Sequence, residues 1–226
     1  MAQFRNSISN QFSNKLIEWS GIYGRTFPWR RTNDPYQILI AEVMLHRTKA
    51  SQVEAIFNAF VERYPNLETL SMAEMNEISD ILRSLGLNWR TKLIIHMAKE
   101  INQAYDGKIP EGKKDLISLP GVGDYLSSAI RCFAFGYPEI VVDTNTSRVI
   151  ARLYSFEEKG EMRRKKEVRD AYELILDNGR PREFNYALLD IGAIICTPRH
   201  KKCSICPVCD YCKTAKNEVM KLEKYL

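Results

Sequence analysis

Five of the six cysteines crowd one end of the chain: Cys196, Cys203, Cys206, Cys209 and Cys212, with only Cys132 elsewhere. Disulfides spread across an extracellular fold, whereas a tight cluster without a signal peptide reads as metal ligation. Cys196-x6-Cys203-x2-Cys206-x5-Cys212 supplies four thiolates, enough to close a site for zinc or for a cubic iron–sulfur cluster. Spacing alone leaves both open, and Cys209 can stand in for a neighbour. The first loop carries Arg199, His200, Lys201 and Lys202. Pinned by a metal, it suits phosphates; otherwise it is a solvated turn.

Three further places can do chemistry. Leu119-Pro120-Gly121-Val122-Gly123-Asp124 lies between two short helical stretches. Its glycines permit a tight turn that, with the positive end of the next helix, suits a phosphate; it can equally be an ordinary helix–helix turn. Asp143 follows the apolar stretch 139–142 and precedes Asn145 and Arg148. It can cap the next helix, or hold a carboxylate against developing positive charge on a reacting sugar, and the two roles are compatible. Glu42 sits in an otherwise apolar run from Ile38 to Leu45. A carboxylate so placed is costly unless it is paired with an arginine or does proton chemistry.

The elements that must position these groups are helices. Apolar residues recur at three- and four-residue steps, and strand signals are scarce. Ile8, Phe12, Leu16 and Trp19 share one face. Asp34-Pro35 starts a buried helix running to about Leu45. Residues 50–64 form another, and Ser71 and Glu74 have capping-box spacing before Ile78. Further helices are expected at 89–105, 113–119, 124–135, 145–154, 165–178 and 183–196, with Pro181 in a late first turn. The mixed-charge run 157–167 reads as solvated loop and helix start. The fold class is therefore all-α.

Composition fits: 45% hydrophobic and 27% charged residues in 226 are ordinary for a soluble globular protein. No apolar run reaches the ~18–20 residues of a membrane span, and the N-terminus lacks a signal-peptide core. Membrane, secreted and fibrous classes drop out. The net charge of +5 permits a nucleic-acid partner without requiring one.

In combination these motifs are specific. From about Phe27 to Cys212 the chain resembles the helix-hairpin-helix, iron–sulfur DNA glycosylases of the endonuclease III superfamily. The hairpin at 119–123, Val142-Asp143-Thr144-Asn145 with Arg148, and the cysteine tail recur at that family's relative distances. The resemblance implies a bipartite fold: a six-helix barrel with the hairpin at 28–133, a cluster domain from 1–27 and 134–226, and a cleft between them. It implies a [4Fe–4S] cluster on Cys196, Cys203, Cys206 and Cys212, with Cys209 a bystander, and makes Asp143 catalytic.

The branch follows residue by residue. Where the strand-cleaving branch carries a lysine two residues after the second hairpin glycine, this chain has Tyr125, which cannot form a Schiff base. Phe27-Pro28-Trp29-Arg30 and Ala41-Glu42-Val43-Met44-Leu45 look like the adenine glycosylases and the G:T mismatch thymine glycosylases. His46-Arg47-Thr48 in place of Gln-Gln-Thr, the stretch Leu85–Asn88, and only 14 residues after Cys212 favour thymine. The expected activity is monofunctional hydrolysis of the N-glycosidic bond of thymine or uracil opposite guanine, leaving an abasic site. Asp143, Glu42 and Tyr125 are the catalytic candidates. Arg30, His46, Arg47, Leu87, Gly121, Gly123, Asn145, Arg148, Lys201 and Lys202 are the DNA-binding ones. Arg47 can donate to guanine O6 and N7, Leu87 can act as a wedge, and Asn145 and Arg148 also suit ordering of the active-site segment. The implied partner is mismatched double-stranded DNA, bound by a monomer. The expected compartment is the cytoplasm and nucleoid of a prokaryote or the nucleus of a eukaryote. The alternatives are an adenine glycosylase acting opposite guanine or 8-oxoguanine, a silent DNA-binding relative, and a zinc-stabilised structural protein.

Overall fold

A computed structural model describes residues 2–86 and 89–216, with residues 2–9 by backbone only. Eleven α-helices occur among the described residues, and the one β-type pairing is an isolated bridge between Cys196 and Lys201. The helices are α1 (Ala2–Tyr23), α2 (Pro35–Leu45), α3 (Ala50–Arg63), α4 (Leu67–Ser71), α5 (Met75–Leu82) and α6 (Trp89–Tyr105). They continue with α7 (Lys113–Ser118), α8 (Asp124–Phe133), α9 (Thr144–Tyr154), α10 (Lys166–Ile175) and α11 (Pro181–Asp190). The chain forms two compact units: Thr26–Phe135, and Met1–Arg25 together with Gly136–Leu226.

The Thr26–Phe135 unit is built around α2. Asp34 accepts a hydrogen bond from the Tyr36 amide at 2.9 Å and Pro35 takes the first helical position, so α2 starts where the sequence places it. Eight of its eleven residues are buried, Glu42 among them, which is why its apolar positions run all round. Leu39, Ile40, Met44, Phe57, Phe60, Leu70, Ile94 and Ile130 form the centre of the core.

This unit corrects one expectation. Ser71 does not open a capping box. It ends α4, its hydroxyl donating to the Glu68 carbonyl at 2.7 Å, and α5 begins after Glu74 without a side-chain cap. Asn66, whose side chain accepts from the Thr69 amide, caps the five-residue α4 instead. The sequence gives six helices between 28 and 133, and α4 is the seventh; one turn is too short to show a period.

The other unit packs both chain ends together. Phe12 and Leu16 of α1 are buried against Ile150, Tyr172, Phe184 and Leu188. Pro181 is the first residue of α11. The expected helix 183–196 divides: after Asp190 the chain widens into a π-turn over Ile191–Ile195. The stretch 139–142 is extended and buried at Ile140, Val141 and Val142. Having no strand partner, it takes its hydrogen bonds from Asn185, which is wholly buried. The Asn185 carbonyl accepts from the Val141 amide (2.9 Å) and the Tyr172 hydroxyl (2.7 Å), and its amide donates to the carbonyls of Glu139 (3.0 Å) and Pro181 (2.7 Å).

Removing that side chain strands several buried polar groups at once, each costing about 1–3 kcal/mol. Asn185→Ala is therefore expected to lower unfolding free energy by about 3 kcal/mol or more, checked by urea denaturation; a loss under about 1 kcal/mol contradicts the account.

Candidate active site and cysteine loop

Asp143 is held by a complete capping box. Its Oδ1 accepts from the amides of Asn145 (2.8 Å) and Thr146 (2.7 Å), while the Thr146 hydroxyl accepts from the Asp143 amide at 2.9 Å. The Asn145 side-chain amide donates to Oδ2 at 3.0 Å. The carboxylate is half-buried and fixed in orientation, at a helix end that favours negative charge.

Behind it stands Arg148, whose guanidinium gives four hydrogen bonds: to the carbonyls of Cys196 (2.9 Å), Thr144 (3.2 Å) and Gly192 (2.7 Å), and to Asn145 Oδ1 (3.0 Å). Burial lowers its pKa from the ordinary arginine value. Of the two roles the sequence offers Arg148 and Asn145, these bonds favour ordering of the active-site segment: both side chains build the frame of Asp143. The Gly192 position belongs to that frame too. A Cβ there would lie 2.8 Å from Asn145 Cβ and 3.2 Å from its backbone, so only glycine admits the π-turn this close.

In the other unit, Tyr125 of α8 donates its hydroxyl to Glu42 Oε2 at 3.1 Å. Residues 83 positions apart thus meet, and the buried acid that the sequence leaves between pairing and proton chemistry has a phenol as one partner. Just before α8, Gly121 turns at φ +75°, a left-handed conformation, with the exposed Gly121 and Gly123 flanking buried Val122. This close turn between α7 and α8 is the expected helix-hairpin-helix shape, and it leaves the first amides of α8 without partners in their own helix.

His46 and Arg47 are exposed just past the end of α2, and Arg47 has a φ of +61°. Arg30 ends a short turn, its guanidinium 5.6 Å from the Phe27 ring. Leu87 and Asn88 lie outside the described residues.

The cysteines gather at the tail of the unit that holds Asp143. The loop after Cys196 is drawn tight by its bridge to Lys201 and by the Thr197 amide donating to the His200 carbonyl at 3.0 Å, with Arg199, His200, Lys201 and Lys202 exposed. Burial pushes the Cys206 thiol up to about 12, with the backbone amide of Val208 working against it and Cys209, Cys196 and Cys212 adding to it. Burial raises Cys212 likewise, and Cys196 and Cys209 add to it. Burial thus disfavours the thiolate form of Cys206 and Cys212, and as thiolates they require positive charge nearby. Arg152, which the sequence reading missed, supplies some: its Nη1 donates to Cys196 Sγ at 3.4 Å and to the Thr197 carbonyl at 2.8 Å. Its own carbonyl accepts from Cys212 Sγ (3.5 Å) and the Thr214 hydroxyl (2.6 Å). Mutually opposed soft sulfur donors beside a cation suit a metal centre of the thiolate class. Among the described residues, no three His, Cys, Asp or Glu side chains are placed to hold a single ion.

Residues 40–174 match the HhH-GPD superfamily of base excision DNA repair proteins. The chain belongs to that superfamily. Within it, the chain is 38% identical to a thymine-DNA glycosylase of Aeropyrum pernix, over 88% of this chain and 91% of that one. It is 36% identical to a thymine/uracil-DNA glycosylase of Methanothermobacter thermautotrophicus, over 92% and 94%. The structure of a thermostable thymine-DNA glycosylase superposes with a TM-score of 0.86 at 34% identity, covering 94% of this chain and 98% of that one.

If Asp143 acts in base release, its frame governs the rate. Gly192→Ala pushes on Asn145, and displacing a positioned group by a fraction of an ångström to 1 Å costs up to about 100-fold. We expect base release to slow at least tenfold with DNA affinity within about threefold, measured by single-turnover kinetics and fluorescence anisotropy. Unchanged kinetics would show that the π-turn does not support the carboxylate.

Proposed function

We propose that this protein is a monofunctional mismatch glycosylase that hydrolyses the bond between deoxyribose and thymine or uracil opposite guanine. The observation that carries the reading is the Tyr125–Glu42 hydrogen bond. It puts a phenol, not an amine, beside the buried acid, so no Schiff base forms and the strand stays intact. The likeness to thymine and thymine/uracil glycosylases over nearly the whole chain supports the choice of pyrimidine.

In this reading a mispaired nucleotide, cheap to unstack, leaves the duplex. The glycosidic bond breaks with its electron pair going to the pyrimidine, and water adds to the sugar carbon as it loses a proton. Asp143, immobilised by its cap, stabilises the cationic sugar or orients that water. Glu42, oriented by Tyr125, hydrogen-bonds the departing base or positions water. The glycines at 121 and 123 with the first amides of α8 grip phosphate, as do Lys201 and Lys202. His46, Arg47 and Leu87 are assigned to the helix where the base has left, and Arg30 to a further DNA contact.

Cys196, Cys203, Cys206 and Cys212 would hold the [4Fe–4S] cluster. Hydrolysis changes no oxidation state, so the cluster's contribution is to pin the basic loop. Removing iron is expected to abolish tight DNA binding together with local structure near Cys196, read by anisotropy and by proteolysis of the loop. Full activity after complete loss of iron would refute that role.

The decisive test is single-turnover base release on G:T, G:U, A:G, A:8-oxoguanine and matched duplexes, with and without hot alkali. Release of thymine or uracil opposite guanine, with strand breaks only after alkali, is expected; release of adenine would move the protein to the other branch. Asn caps a helix as well as Asp does. Asp143→Asn should therefore keep thermal stability and DNA affinity while base release falls about 100-fold or more. Base release within tenfold of the parent would remove Asp143 from the chemistry.

A further inference from the structure

The largest side chain buried without any solvent exposure is a cation, Arg90 in the first turn of α6. Its Nη1 donates to the Met44 carbonyl at 2.6 Å and to the Thr48 hydroxyl at 3.0 Å. Its Nε and Nη2 are buried with no partner. Burial lowers its pKa to about 10, so the charge is kept at a cost.

That cost is informative. A buried arginine is not a stabilising choice where an apolar chain of similar reach would fill the space. A methionine at position 90 would leave no donor unpaired. What it could not do is hold the Met44 carbonyl and the Thr48 hydroxyl together.

Those two atoms bracket one turn. The last carbonyls of α2 need partners outside the helix. The turn's own backbone serves Val43, from the His46 amide at 3.4 Å, and Leu45, from the Thr48 amide at 3.1 Å. Arg90 serves Met44 between them, at the negative end of the helix. Between these ties, Arg47 is held left-handed at φ +61°, a conformation that ordinary residues keep only when their surroundings enforce it. The neighbouring α6 residue clamps the other side: the Trp89 ring meets His46 edge-to-face at 5.9 Å.

We infer that Arg90 is a positioning residue for recognition of the base opposite the one removed, acting by fixing the 46–48 turn so that Arg47 is presented outward. The inference rests on the reading above that His46 and Arg47 touch DNA. Arg90 itself meets neither DNA nor substrate. It converts a strained turn into a rigid one, so that the donors of Arg47 arrive at guanine already oriented.

The test is a double-mutant cycle with Arg90→Met and Arg47→Ala. The readout is the ratio of single-turnover rates for thymine opposite guanine against thymine opposite cytosine or thymine. Arg47→Ala alone is expected to reduce the preference for guanine at least tenfold. If it does not, the reading of the turn fails, whatever Arg90 does.

Arg90→Met is expected to reduce the preference by a similar factor while its melting temperature falls by no more than the few degrees that one unpaired carbonyl costs. In the Arg47→Ala background it should change the ratio less than twofold, because both act through one contact. Retention of the preference in Arg90→Met, when Arg47→Ala has lost it, overturns the inference alone. A fall on all duplexes in step with a lower melting temperature also overturns it, by showing a merely structural arginine. Thr48→Val keeps the test decisive should Arg90→Met not fold. It removes only the hydroxyl acceptor, and a loss of preference of about threefold or more is expected. Unchanged preference in Thr48→Val counts against the inference.

Discussion

Four acceptors converge on the guanidinium of Arg148, and they come from two stretches: the first turn of α9, and the π-turn at Gly192 with the Cys196 carbonyl that ends it. Among the described residues of that unit, no other side chain joins so many parts that the proposed chemistry uses. Partners for its donors lower the cost of burying this cation, so the stretches that supply them are held in register by one guanidinium. The orientation of Asp143, the widening of the helix after Asp190 and the start of the cysteine loop are three consequences of satisfying one group.

Helix ends are where this all-α protein does its work, and the reason is elementary. A helix satisfies its own interior and leaves four amides and four carbonyls at its ends to find other partners. At α9 the partner is Asp143, at α8 the proposed partner is phosphate, and at the end of α2 it is Arg90. Each of these ends lies next to a group assigned to the reaction. The cores of the two units serve mainly to fix where the ends lie.

Much of this was legible in the sequence, because capping and hairpin chemistry are local. Asp34-Pro35, the glycine turn and Asp143 before its helix each depend on residues within three or four positions. What was not legible depends on partners far along the chain. The Tyr125 contact with Glu42, the Asn185 network under residues 139–142 and the grip of Arg152 on the cysteine loop join positions 13 to 83 apart. Arg148 was read both as a DNA contact and as a residue that orders the active-site segment, because an arginine after such a motif is ambiguous until its donors are counted. α4 was missed because it is a single turn, and Ser71 was misread because a helix end and a capping box share the same residue types. The π-turn has no pattern of its own; only the glycine that must lie against Asn145 marks it.

The bond from Arg148 to the Cys196 carbonyl has one more consequence. Energetic coupling between two sites is reciprocal. Whatever tightens the cysteine loop also tightens the frame of Asp143, and whatever loosens one loosens the other. A protein built this way has a shared point of failure. Oxidative damage at the cysteines would reach Asp143, the carboxylate proposed to face the sugar, through a single buried side chain, so a damaged copy is expected to fall silent rather than release bases with its grip on DNA impaired.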